Sequence, residues 1–140
     1  MSELTGFDLL AQKRQSAVAG NQQLVDAQHA QSKLTARERI GKLLDSESFV
    51  EMHAFVQHSN AVAGMKEVSA PGEGVVTGYG TIDGRGVYVV SQDYTVLGGS
   101  MGAMHARKIT KLLDMAGKTG LPVILLLDSL GARLGEGAGA

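Results

Sequence analysis

The chain predicts an α/β fold built on a strand-strand-helix unit, and three observations carry that expectation. First, Val76, Tyr79 and Ile82 stand among Thr and Gly, Asp83-Gly84 supplies the positive-φ positions of a tight hairpin, and residues 87–90 return as VYVV. Second, residues 101–118 place Met101, His105, Ile109, Leu112 and Ala116 on one helical face. Third, residues 123–127 form a continuous apolar run, VILLL, of the kind found in strands covered on both faces.

Taken in order, residues 5–34 are rich in Gln and Ala with scattered apolar positions at Phe7, Leu10, Val18, Leu24 and Val25. They read as one or two weakly amphipathic helices with a break at Gly20-Asn21. Thr35-Ala36-Arg37-Glu38 matches a capping box, in which hydroxyl and carboxylate each satisfy an amide that the helix leaves free. Ile40, Leu43 and Leu44 follow on one face, Asp45-Ser46-Glu47-Ser48 ends the helix, and residues 49–53 suit a short strand. Residues 54–72 hold no period and contain Gly64, Pro71 and Gly72, which predicts a flexible connection. Further on, Gly120 is placed to end the long helix and Pro122 prevents its continuation. The expected division is therefore a helical arm and connection over 1–72, then a sheet-forming segment over 73–140.

A unit of two strands and a helix cannot cover its own sheet and needs neighbours stacked on it. The last six residues, GEGAGA, stand where another helix is due, so the expectation is a fragment or one half of a split protein that associates with itself or a complementary chain.

Bulk properties exclude several functions. The chain has 140 residues, enough for one core, with 44% hydrophobic residues, 19% charged residues and a net charge of −1. So small a charge gives no support to nucleic-acid binding. The absence of Cys excludes a disulfide scaffold, a thiolate nucleophile and cysteine-ligated metal. The opening MSELTGFDLLAQKR lacks the basic start and apolar core of a signal peptide, and the expected compartment is cytoplasmic.

Two loops are candidate sites. The loop before the long helix carries Gly98, Gly99 and Ser100, where glycines admit close backbone approach and free helix amides attract phosphate or a carbonyl oxygen. The plain alternative is a strand-to-helix turn with Ser100 as N-cap. Asp128, Ser129, Leu130, Gly131, Ala132 and Arg133 follow the buried strand, on the usual ligand side of an α/β sheet. Asp128 and Ser129 suit hydrogen bonds to backbone amides better than nucleophilic chemistry, because no His or second acid is near in sequence. Arg133 either holds a phosphate or carboxylate or braces neighbouring carbonyls. Catalytic residues are not readable, and His29, His53, His58 and His105 form no metal pattern. His105, on the apolar face, reads as a buried hydrogen-bonded ring; Arg107 and Lys108, one turn into the helix, either reach CoA phosphates or, by default, form an exposed basic pair. Gly64-Met65-Lys66-Glu67 lacks the surrounding pattern of a biotinylated carrier segment.

Three segments in series carry a resemblance: Gln28-His29 through KLTARERIGKLLDSESFVE (33–51), GEGVVTGYGTIDGRGVYVVSQDYTVLGGSMG (72–102) and DSLGARLGEG (128–137). Together they resemble the N-terminal part of the biotin-dependent acyl-CoA carboxyltransferase family, which includes propionyl-CoA carboxylase and methylmalonyl- or glutaconyl-CoA decarboxylase subunits. The resemblance implies a crotonase-like spiral of β-β-α units, here incomplete, with 73–140 as the first part of the N-domain. It implies transfer of a carboxyl group between biotin, carried on a partner protein or domain, and the α-carbon of an acyl-CoA. It also implies a homo-oligomer and a remaining carboxyltransferase subunit or domain. Gly98, Gly99, Ser100, Ser129, Gly131, Ala132 and Arg133 become substrate-binding residues under this resemblance, with the thioester enolate and biotin ureido oxygen held by backbone amides. The resemblance places one amide pair in a later Gly-rich segment absent here and the other in a second domain, so the chain is expected to carry part of the acyl-CoA pocket and to be inactive alone. Leu130 departs from the two adjacent glycines usual in the family after Asp-Ser, and Leu134-Gly135 replaces Ile-Gln. Two rivals remain, a crotonase-fold acyl-CoA enzyme without biotin and a non-catalytic assembly fragment.

Overall fold

The computed structural model describes residues 5–58 and 65–139. Part of the 54–72 connection, including Gly64, and the last residue of the chain therefore lie outside the described residues.

The helical arm begins with α1 (Gly6–Ala19) and α2 (Gln22–Ala30), separated at Gly20 and Asn21 as the break predicts. Helix α1 buries none of its residues, in keeping with its scattered apolar positions. Helix α3 (Ala36–Leu43) starts in the capping box read from the sequence: Glu38 N donates to Thr35 Oγ1 at 3.3 Å and Thr35 N to Glu38 Oε2 at 2.8 Å. Its face carries Ala36, Ile40 and Leu44 into the core.

A four-stranded sheet follows, in spatial order β1-β2-β3-β4. Strand β1 (Val50–Met52) pairs antiparallel with β2 (Val75–Ile82), which pairs antiparallel with β3 (Arg85–Gln92). Asp83 and Gly84 both take positive φ, 49° and 74°, as the tight turn demands. The Asp45 carboxylate accepts both turn amides, from Asp83 at 3.0 Å and Gly84 at 2.9 Å. Helix α4 (Ala103–Thr119) then ends at left-handed Gly120 and returns the chain to β4 (Val123–Leu126), parallel to β3. The strand-strand-helix unit is thus the one expected.

Strand β3 is the centre of the core, and its period of two divides its side chains between two layers. Val87 and Val89 pack with α3 and Val76, whereas Tyr88 and Val90 pack with Val75, Leu112 and Ala116. Val89 and Val90 are fully buried, and each such side chain contributes about 1.5–3 kcal/mol relative to exposure. Both α3 and β1 come from the 1–72 segment, so residues on each side of position 72 share one sheet and core.

Strand β4 departs from expectation. Ile124 and Leu126 face the α3 layer, but Leu125 is 49% exposed and Leu127 68%. The cause is position: β4 is the sheet edge, and α4 packs over β2 and β3 and not over Leu125.

Candidate functional site

Because β3 and β4 are parallel, their carboxyl ends open on the same side, and the loops after them lie together. Leu130 N donates to Gly98 O at 2.9 Å, Met101 N to Gly131 O at 2.8 Å, and Arg133 N to Met101 O at 2.8 Å. All seven sequence-predicted site residues are therefore in one place. The glycines serve this contact. Gly98 and Gly99 both have φ +61°, and a Cβ on Gly99 collides with the Asp128 carbonyl, one on Gly98 with the Leu130 side chain. Close approach is needed, but by the second loop. Leu130 itself is 71% exposed and stands over Gly98 at the loop junction.

Several loop amides are used internally. Gly99 N donates to Val96 O and Ser100 N to Leu97 O, while Gly131 N donates to Ser129 Oγ at 3.0 Å. Among the described residues the amides of Ser129 and Ala132 have no hydrogen-bond acceptor, and both residues are exposed.

The N-terminus of α4 is filled from within the chain. Gly102 is its N-cap, without a side-chain cap, so Ser100 does not play that part. Glu136 Oε2 accepts the Ala103 amide at 2.8 Å, seating a carboxylate where a helix attracts an anion. Beside it Arg133 is buried, and all three guanidinium nitrogens are engaged. Nη1 donates to carboxylates of Glu73 and Glu136, Nη2 to Ser100 O at 2.8 Å and Glu73 O at 3.1 Å, and Nε to Ser100 Oγ at 3.3 Å. Of the two readings open for Arg133, the geometry is that of a brace.

Glu73 is fully buried at φ +61° between left-handed Gly72 and Gly74. Its Oε1 accepts from the His58 amide at 2.6 Å and from His58 Nδ1 at 2.8 Å. Burial pushes this carboxyl up, but hydrogen bonds from Arg133 and His58 outweigh it and hold the group below the ordinary carboxylate value. Sequence reasoning missed Glu73, Glu136 and His58. One signal was available: each Glu is the centre of a Gly-Glu-Gly tripeptide, at 72–74 and 135–137.

Two further side chains tie α4 to this cluster. Lys108, expected exposed beside Arg107, is buried and donates to Gly72 O at 2.7 Å and to Val75 O. Carbonyl oxygens of the irregular 72–75 turn draw it inward, and burial lowers it to about 8, while Arg107 is exposed as expected. His105 is buried as read, with Nδ1 2.8 Å from Glu73 O and Nε2 3.4 Å from Gln92 Nε2. Burial lowers His105, and a neutral ring with Nδ1–H satisfies both contacts.

Asp128 does not bond backbone amides as expected. Its carboxylate accepts from Lys33 Nζ at 2.7 Å and Gln28 Nε2 at 3.1 Å, both from the arm. Among the described residues no cluster of three or more His, Asp or Glu is arranged to hold a metal, and no helix is long and apolar enough to cross a membrane. A cleft of about 480 Å³ beneath α1, lined by Leu9, Ser16, Phe55 and Pro71 among others, includes none of the seven loop residues.

The family model for the carboxyl transferase domain matches residues 27–140. The chain belongs to the carboxyl transferase domain family. It is 53% identical over 133 residues to methylmalonyl-CoA decarboxylase subunit alpha of Propionigenium modestum, covering 95% of this chain and 26% of that protein. It is 57% identical over 118 residues to the propionyl-CoA carboxylase beta chain of Cereibacter sphaeroides, covering 84% of this chain and 23% of that one. Among solved structures, transcarboxylase 12S, a hexamer with methylmalonyl-coenzyme A and methylmalonic acid bound, superposes with a TM-score of 0.91 at 43% identity. That match covers 98% of this chain and 28% of the neighbour. This carboxyl transferase domain chain thus spans about a quarter of the curated relatives it matches, and its α/β, crotonase-like fold is that of its structural neighbours.

Proposed function

We propose that the chain is part of a carboxyltransferase subunit that moves a carboxyl group between biotin and the α-carbon of a short acyl-CoA, in the carboxylase or decarboxylase direction. The observation that carries the reading is the pair of joined loops at the carboxyl ends of β3 and β4, with unengaged amides at Ser129 and Ala132. Amides held by a rigid scaffold stabilise the oxygen of a thioester as negative charge develops on it. Ser129, Gly131 and Ala132 then line the acyl-CoA, Gly98 and Gly99 let the loops meet, and Ser100 and Arg133 brace them. Asp128 is not a general acid here, because its carboxylate is bound to Lys33 and Gln28.

These loops then form part of the acyl-CoA pocket, and the amide sets for the thioester enolate and the biotin ureido oxygen belong to the remaining carboxyltransferase subunit or domain. Biotin supplies the transferable carboxyl group and arrives on a carrier protein or domain. Residues 1–72 serve as the arm and connection and 73–140 as the opening of the N-domain, in a cytoplasmic homo-oligomer. The relatives named for propionyl-CoA and methylmalonyl-CoA support a short acyl group. With those amides elsewhere, the chain alone gives no CO2 release from free biotin and methylmalonyl-CoA.

Amide shift mapping with propionyl-CoA or methylmalonyl-CoA tests the site. Ser129, Ala132 and their loop neighbours shift first; changes confined to residues 1–50 refute the assignment.

A further inference from the structure

Asp128 is held through three different groups, each by a different part of the chain. Its carboxylate meets Lys33 Nζ at 2.7 Å and Gln28 Nε2 at 3.1 Å. Its amide donates to Gln92 Oε1 at 3.0 Å, at the end of β3. Its carbonyl lies so close to Gly99 that no side chain fits there. One residue therefore sets where β4 ends, where the second loop starts and how near the first loop comes.

The arm's grip is well fixed. Gln28 is buried, the Asp128 side chain is only 14% exposed, and Lys33 also sits 4.6 Å over the Tyr94 ring. Tyr94 belongs to the loop after β3, so Lys33 touches both site loops at once. Half-buried charge pairs of this kind hold geometry better than exposed pairs do, because water competes less for each partner.

We infer that Gln28 and Lys33 of the N-terminal arm are positioning residues, acting through Asp128 to set the spacing of the two site loops and hence the direction of the Ser129 and Ala132 amides. The arm is then a working part of the site and not only a means of assembly. The inference rests on the proposed function solely in naming the ligand; the loop geometry stands independently.

The test is amide hydrogen exchange and amide shifts on the full chain with K33A, K33R and Q28A. In K33A, exchange of the Met101, Leu130 and Arg133 amides, which make the loop-to-loop bonds, rises about three- to tenfold. The Ser129 and Ala132 amide resonances move, and the Val89 and Val90 amides in the core keep their wild-type rates. K33R, which keeps the charge, restores the loop amides. Q28A, acting on the other carboxylate oxygen, moves the same resonances. Unchanged loop amides in both K33A and Q28A overturn the inference, and so does an equal rise at Val89 and Val90, which is general destabilisation. A parallel titration with methylmalonyl-CoA separates the two readings. Wild-type chain that binds none refutes the proposed function while the exchange result still decides the positioning role; binding that weakens in K33A and recovers in K33R supports both.

Discussion

Arg133 and Glu73 lie sixty residues apart in sequence and meet as an ion pair with almost no exposure on either side. Glu73 comes from the turn before β2 and Arg133 from the loop after β4, so the pair spans the sheet-forming segment from its entry to its far edge. Desolvating such groups is costly, and the pair is tolerable only because His58, Glu136 and Ser100 complete the hydrogen bonds.

Breaking the pair from one side leaves a buried charge unmatched. E73A is expected to cost about 3–5 kcal/mol, the range for removing one member of a buried pair. Urea unfolding measures it, and a loss within that of an ordinary surface substitution contradicts the buried network.

Stability should depend on pH through His105 and Glu73. Burial holds His105 below its ordinary 6.5, so between that folded value and 6.5 the unfolded chain binds more protons. Stability therefore falls as pH drops below about 6.5. Glu73, also lowered, adds stability that is fully present above 4.5 and is lost as pH falls through its folded value. Lys108 acts at the alkaline end: lowered to about 8 from 10.5, it makes stability rise with pH across that interval. Urea midpoints across these windows check the slopes, and H105Q should flatten the one just below neutrality.

Two glycine substitutions should act in opposite directions. Gly99 has φ +61° and the Asp128 carbonyl against it, so G99A strains the backbone and drives the loops apart. Gly117 lies inside α4 with open space around it, so G117A should stabilise by about 0.5–1 kcal/mol. Thermal midpoints of both variants, with loop amide shifts for G99A, give the comparison.

Under the proposed function, Leu130 should restrict the acyl group. It is exposed at the loop junction beside the Ser129 and Ala132 amides. L130G should improve binding of a longer acyl-CoA relative to propionyl-CoA by about tenfold, the worth of one or two methylenes of added room. Calorimetric titration of both esters reads the ratio, and an unchanged ratio places Leu130 outside the acyl path.

Local chemistry was legible wherever neighbours in sequence determine it. The Thr35–Glu38 capping box, the Asp83-Gly84 turn and the Gly120 stop depend on residues within a few positions and stand as read. So does the α4 face except for Met101, which precedes the helix, is 39% exposed and bonds through its backbone to Gly131 and Arg133. Family membership was legible too, because three short motifs in the right order survive without any knowledge of contacts.

What the sequence could not determine is which polar groups meet across long separations. Arg133 offered two roles until Glu73 and Glu136 closed around it. Lys108 read as exposed because nothing adjacent announces the bare carbonyls of Gly72 and Val75. Asp128 read as a partner for amides because Lys33 is 95 residues away. The apolar run at β4 specified a strand but not how much of it is covered, which depends on its place at the sheet edge. By itself the sequence determined the elements, their order and the two loops, since these follow from local propensity and periodicity. Only the tertiary structure decided that the glycines serve loop contact, that the helix end is already filled by Glu136 and that Lys33 and Gln28 of the arm bind Asp128, because burial and ion pairing depend on what the fold brings together.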